Sequence, residues 1–118
     1  MKAQPVRYER ATYSYVACDV EQATHLRLLM YGHFREQVIP IRKGDVRPSW
    51  LWNGDTEKPT LDPSILTSCG GHRCHCFIRE GVIEYLPDST HEYAGKNMPL
   101  RDIVNDVTNS STDPDLFD

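Results

Sequence analysis

Residues 74–86 have the sequence CHCFIREGVIEYL, which predicts a β-hairpin. Two runs rich in β-branched and aromatic residues flank Glu80-Gly81, a pair that suits a two-residue turn. Because side chains alternate between the faces of a strand, Cys74 and Cys76 share the face of the hairpin isoleucines. That face is the expected core face, and His75 is expected to point the other way. The residues that follow the hairpin return to the level of Cys74.

Short strands are predicted on both sides of this hairpin. Residues 12–18, 37–42 and 49–52 have strand-like composition, and residues 25–31 fit either a strand or a short helix. Two prolines predict an extended loop over residues 56–64. Apolar residues spaced on one face predict a short helix over residues 99–107, with Pro99 in its first turn.

These elements predict a mainly β fold, a small sandwich or an open barrel of short antiparallel strands with one short C-terminal helix. We expect one metal-binding β-rich domain over residues 1–108. Residues 109–118 are polar and acidic, which predicts a flexible tail.

Composition narrows the class of protein. The net charge of −4 argues against a broad nucleic-acid surface, so binding to nucleic acid is not expected. The N-terminal residues lack the apolar stretch of a signal peptide, and no segment has the roughly 18 apolar residues of a membrane span. We therefore expect a cytoplasmic protein without membrane contacts. In a reducing compartment its four cysteines are expected to be thiols or metal ligands.

The cysteines and histidines are concentrated in one short segment, which predicts a zinc site. The segment contains Cys69, His72, Cys74, His75 and Cys76. Asp88 and His91 converge on it at the open end of the hairpin. Zinc prefers this mixture of thiolate, imidazole and carboxylate ligands. The ligand set stays open, because Cys69, His72 and Cys76 are alternatives and Cys76 equally fits the core.

The ordered motifs WLWNGD (50–55), EKPT (57–60), PSIL (63–66), CHCFI (74–78), GVI (81–83) and DSTH (88–91) resemble a family of small bacterial and phage proteins. Its phage members are often named ammonia monooxygenase. Its bacterial members occur beside ubiquitin-like proteins and their conjugating enzymes. The resemblance implies a zinc peptidase that processes a ubiquitin-like protein or its conjugates. The matching positions imply Cys74, His75, Asp88 and His91 as ligands, with Glu57 as a further candidate.

The leading hypothesis is therefore a zinc-dependent hydrolase acting on a protein substrate. Zinc would activate a water molecule, Glu57 would serve as general base, and Ser89 would donate a hydrogen bond to the oxyanion. Trp50 and Trp52 fit two alternatives, core packing or an aromatic wall that binds the substrate peptide.

Three other functions fit the sequence less well. A protein-binding module with a closed structural zinc site would need four protein ligands and no open position. A phage regulatory or nucleic-acid-binding protein is disfavoured by the acidic net charge. Redox chemistry is disfavoured because the sequence contains no Cys-x-x-Cys pair.

Overall fold

The computed structural model describes residues 1–41 and 49–103, which form nine β-strands and one short 3₁₀ helix, Val20–Gln22. The strands are β1 (Ala3–Glu9), β2 (Ser14–Ala17), β3 (His25–Leu29), β4 (Glu36–Pro40), β5 (Leu51–Trp52), β6 (Leu61–Cys69), β7 (His72–Arg79), β8 (Val82–Tyr85) and β9 (Asn97–Pro99). In these residues no helix is long and apolar enough to cross a membrane.

The strands form two antiparallel sheets, with the orders β2-β1-β3-β4 and β5-β6-β7-β8-β9. Alternate side chains of each sheet are buried and join a single apolar cluster, to which β3 contributes Leu26 and Leu28, and the second sheet Ile65 and Ile78. The predicted mainly β fold of antiparallel strands is confirmed. The described strands do not close into a barrel.

The hairpin of β7 and β8 has the predicted register, with Cys76 opposite Tyr85. Its turn residues Glu80 and Gly81 have φ values of 51° and 80°. Tight hairpin turns require a positive φ at both central positions. Cys76 is fully buried and His75 is half-buried on the opposite face, as the alternation predicts.

A second hairpin joins β6 to β7 through Gly70 and Gly71, whose φ values are 57° and 85°. Its register places Leu66 directly opposite His75. Strand β7 is therefore paired on both sides, so its backbone is held by two neighbours.

The C-terminal helix predicted for residues 99–107 is not confirmed. Pro99 ends β9, and residues 100–103 have no regular secondary structure. Leu100 and Ile103 are buried, and their N–H groups bond to the carbonyls of Gly81 and Met1 at 2.9 and 2.7 Å. The apolar spacing therefore reflects burial of an extended segment. The rest of this helix and the predicted tail, residues 109–118, lie outside the described residues.

Candidate active site

An irregularity in β6 brings Ser64 next to His75. The pairing of β6 with β7 shifts between Leu61 and Ile65, where three residues of β6 lie opposite a single residue of β7. Such a bulge changes the direction of the side chains around it. Ser64 ends up diagonally opposite His75, on the face of the sheet that does not pack against the core.

Ser64, His75 and Asp88 form a continuous chain of hydrogen-bonding side chains. Ser64 Oγ lies 3.2 Å from His75 Nε2. His75 Nδ1 lies 3.0 and 3.2 Å from the two carboxylate oxygens of Asp88. An ionised carboxylate only accepts, so Nδ1 carries the hydrogen and the Nε2 of a neutral ring accepts from the serine hydroxyl. This arrangement can activate a serine as a nucleophile.

Asp88 is exposed, and its neighbours favour the ionised form of its carboxyl group. Its hydrogen bond from His75 is the main reason why the pKa of the Asp88 carboxyl lies below its ordinary value. The guanidinium of Arg73 lies 3.6 Å from the same carboxylate and acts in the same direction. Asp88 is therefore ionised at neutral pH, as the orienting residue of such a chain must be.

Beyond the end of β8, two side-chain hydroxyl groups form hydrogen bonds with the backbone of β7. The Ser89 hydroxyl accepts a hydrogen bond from the His75 N–H at 3.0 Å and donates one to the His75 carbonyl at 3.1 Å. Thr90 Oγ1 does the same for Arg73, at 2.8 and 3.2 Å. A hydroxyl has one hydrogen, and that of Ser89 is used on the His75 carbonyl. In this conformation Ser89 holds His75 rather than presenting a donor to an oxyanion.

Trp50 supports Ser64 from the core side. Its indole Nε1–H donates to the Ser64 carbonyl at 3.2 Å. Trp52 donates to the Asp55 carbonyl at 3.2 Å, and both indoles pack against the core cluster. Both tryptophans are thus partly buried against the core, and their binding of a substrate peptide stays a prediction.

A protein family described as "bacterial ubiquitination-like system serine protease (BubE)" matches residues 5–86. This match covers more than half of the 118 residues and includes Ser64 and His75. The chain belongs to the BubE family. No curated protein and no solved structure matches the chain.

The BubE match agrees with part of the family resemblance found in the sequence. It confirms a bacterial family linked to a ubiquitination-like system, and it supports a protease acting on a protein substrate. The family is described as a serine protease, whereas the resemblance implied a zinc peptidase.

The four ligands predicted for zinc lie on two faces of the second sheet. His75 and Asp88 are on the outer face, whereas Cys74 is fully buried on the core face and the His91 ring packs edge-on against Tyr85. In residues 1–41 and 49–103 no group of three or more His, Cys, Asp or Glu side chains could hold a metal ion. The predicted set therefore does not fit one ion in this conformation, and zinc binding stays a prediction from the sequence.

A separate group on the core face of the second sheet consists of Cys74, Cys76 and His91. Hydrogen bonding between the two thiols lowers the pKa of Cys74, whereas this bond and burial raise the pKa of Cys76. The Tyr93 N–H donates to His91 Nδ1 at 3.2 Å, so His91 Nε2 carries its hydrogen into the interior. Within the described residues this Nε2 is buried and has no hydrogen-bond partner.

Glu57 lies far from His75. Its carboxylate is 3.6 Å from the Met1 amino group, and its carbonyl lies against Gly81 at the closed end of the β7–β8 hairpin. Five residues of strand, roughly 16 Å, separate that end from His75. The structure does not bring the predicted general base to the outer-face histidine.

Ser64 was not predicted as a functional residue, although the sequence contains a signal for it. Gly70-Gly71 is a strong two-residue hairpin turn. Counting outward from it pairs Leu66 with His75 and puts Ser64 on the same face, two residues away. The two prolines of residues 56–64 instead favoured a loop there.

Proposed function

We propose that this member of the BubE family is a serine protease in which Ser64 is the nucleophile, His75 the general base and Asp88 the residue that orients the imidazole. The observation that supports the proposal most is the unbroken chain of contacts from the Ser64 hydroxyl to the Asp88 carboxylate, at 3.2 and 3.0 Å. The serine-to-histidine distance is at the long end of a hydrogen bond, as is common in a free enzyme.

The proposed reaction cleaves an amide bond in two steps. Ser64 Oγ attacks the carbonyl carbon while His75 Nε2 accepts the hydroxyl proton. The tetrahedral intermediate collapses to an ester on Ser64, and His75 gives the proton to the leaving amine. A water molecule then attacks the ester with His75 again as base, which releases the acid and restores Ser64. Asp88 stays ionised and stabilises the imidazolium in both steps.

The proposed substrate is a protein of a ubiquitination-like system, as the family description suggests. Two exposed apolar side chains lie near Ser64 and offer contacts for such a chain. Leu66 is 56% exposed and follows Ser64 on the same face, and Leu51 is 48% exposed on the adjacent strand β5. Exposed leucines beside a nucleophile suit an extended peptide that brings apolar side chains to the sheet.

A fluorophosphonate probe tests this assignment without requiring a known substrate, because it reacts covalently with activated serines. We expect labelling of the peptide that contains Ser64, and its loss in Ser64→Ala and His75→Ala. Ser68→Ala is the matched control, since Ser68 is exposed on the same face of β6 but pairs with Arg73. Cleavage of a fusion between a ubiquitin-like protein and a reporter should fall about 10⁶-fold in Ser64→Ala.

The same experiment separates the serine mechanism from the zinc hypothesis. A serine protease keeps its labelling and its cleavage activity in excess EDTA. Well-folded wild-type protein that is not labelled, or labelling that persists in Ser64→Ala, contradicts the proposal. Cleavage that EDTA abolishes and the fluorophosphonate leaves intact would instead favour metal-activated water.

A further inference from the structure

A positively charged cavity lies beside the candidate active site. It has a volume of about 560 Å³ and is bounded by the segment after β3 and by residues 90–93. We call it the cationic cavity. Its charged and imidazole side chains are Arg35, Arg101, His33, His72, His91 and Glu92.

The two arginines of the cationic cavity are available for an anion. Within residues 1–41 and 49–103 neither Arg35 nor Arg101 pairs with a carboxylate, although five other basic side chains there do. Glu92 is the single carboxylate among the described lining residues. The chain as a whole carries a charge of −4, so this local excess of positive charge is opposite in sign to the rest of the protein.

Ring contacts hold Arg101 and two of the histidines in place. The Arg101 guanidinium lies 5.2 Å from the centre of the Tyr31 ring. His33 and His72 stack with their ring centres 3.7 Å apart and their planes 9° apart, which joins the segment after β3 to the start of β7. Groups fixed before a ligand arrives lose less conformational entropy on binding.

The cationic cavity adjoins a second cavity of about 390 Å³, and the two share His72 and Thr90 as lining residues. This second cavity reaches Arg73 and Asp88, which is hydrogen-bonded to His75. A chain bound at Ser64 can therefore extend past Asp88 towards Arg35 and Arg101.

We propose that the cationic cavity binds an acidic segment of the protein substrate, next to the bond cleaved at Ser64. This inference rests on the proposed protease function, since it treats the cavity as part of the substrate path. The anions of a polypeptide are the carboxylates of Asp and Glu and its C-terminus, and arginine binds a carboxylate through two parallel hydrogen bonds. Two guanidinium groups without carboxylate partners, one of them held against the Tyr31 ring, thus favour an acidic segment over a neutral or basic one.

Fluorescence anisotropy with fluorescein-labelled hexaglutamate tests the inference on the full chain. Wild type is expected to bind hexaglutamate, and hexalysine not to bind. Arg35→Gln/Arg101→Gln should weaken binding about tenfold or more, which corresponds to about 1.4 kcal/mol. Arg7→Gln/Arg10→Gln removes the same charge from the β1–β2 hairpin and should change the affinity less than twofold. Binding should also weaken as salt is raised.

The outcomes separate this inference from the proposed function. Hexaglutamate binding by well-folded wild-type protein that the fluorophosphonate does not label would keep the acidic site and remove the protease. No hexaglutamate binding by a labelled, well-folded protein would overturn the acidic site alone. If both double variants lose hexaglutamate affinity equally, the binding is nonspecific charge attraction and the acidic site is overturned. Tighter binding of labelled oligothymidine than of hexaglutamate would overturn it in favour of a nucleic-acid site.

Discussion

The Ser89 hydroxyl bonds to both backbone polar groups of His75, accepting from its N–H at 3.0 Å and donating to its carbonyl at 3.1 Å. Ser89 is 8% exposed, so these bonds lie largely out of water. The proposed general base is thus fixed through its main chain by a residue from the loop that also carries Asp88. One short segment, residues 88–89, controls both the orientation of the imidazole and the position of its backbone.

Ser89→Ala should therefore impair the site without removing any of its reacting groups. The His75 N–H loses its partner in a largely buried position, which costs about 1–3 kcal/mol of unfolding free energy. A displaced imidazole should also slow fluorophosphonate labelling of Ser64 by roughly tenfold. Urea unfolding and labelling rates measure the two effects.

Thr90→Ala is the matched control for Ser89→Ala. It removes the same pair of hydroxyl bonds, but from Arg73, in an exposed position. We expect a smaller loss of stability and a smaller change in the labelling rate than in Ser89→Ala. If both variants label Ser64 equally slowly, the special role of Ser89 in holding His75 is refuted.

Asp88→Asn should reduce catalysis while leaving the fold intact. An asparagine side chain can donate to His75 Nδ1 and so stabilise the wrong tautomer, in which Nε2 no longer accepts from Ser64. A buried aspartate in this role is worth about 10⁴-fold in turnover; for an exposed one we expect at least about 100-fold. Turnover of the reporter fusion by Asp88→Asn and wild type measures the difference.

The effect of Asp88 on stability should depend on pH in a defined direction. Its folded-state pKa lies below the ordinary 3.8, chiefly because of the hydrogen bond from His75. Ionised Asp88 therefore stabilises the folded state above pH 3.8, and this contribution is lost as the pH falls through the folded-state pKa. The stability difference between wild type and Asp88→Asn should shrink as the pH falls from about 5 to about 2, which urea unfolding at several pH values measures. A difference for Asp88→Asn that grows in acid would show that the carboxyl pKa is raised, which contradicts the arrangement described.

The β7–β8 hairpin could be predicted because its information is local. The Glu80-Gly81 turn fixes the register, and alternation then places Cys76 in the core and His75 outside. The convergence of Asp88 on His75 followed from the same register. These local rules located two of the three proposed catalytic residues, although they were assigned to a metal.

The third residue depends on non-local structure. The Gly70-Gly71 register puts Ser64 on the face of His75, but Ser64 also lies where β6 bulges between Leu61 and Ile65 against β7, and alternation within one strand cannot reveal a bulge. Strand β1 was missed for a related reason. It contains Gln4 and Pro5, which have low strand propensity, and it is held by pairing with β2 and β3.

The four cysteines should differ sharply in their reaction with iodoacetamide. Cys69 is exposed, whereas Cys74 and Cys76 are fully buried. In the folded protein we expect fast alkylation of Cys69 and protection of the other two, because a buried thiol must await an opening of the structure. Mass spectrometry of tryptic peptides resolves this, since cleavage after Arg73 separates Cys69 from the buried pair.

Denatured protein provides the control for alkylation, because all four thiols should then react at similar rates. Fast modification of Cys74 or Cys76 in the folded chain would mean that they do not face the core. Slow modification of all of them, reversed by EDTA, would support the zinc predicted from the sequence.

Gly32 lies against the ring of His91, and its substitution should destabilise the fold strongly. Its φ is +81°, and a Cβ at this position would lie 2.8 Å from His91 Cγ. The His91 ring is itself held edge-on against Tyr85, with ring centres 4.6 Å apart, so it has little room to move.

Gly95 has a nearly equal φ of +77° with nothing within 4 Å of the added Cβ. Gly95→Ala therefore measures the backbone strain alone, about 1 kcal/mol. Gly32→Ala should lose about 1–3 kcal/mol more in urea unfolding, owing to the clash with His91. Equal losses in the two variants would show that the segment after β3 does not pack on His91 as described.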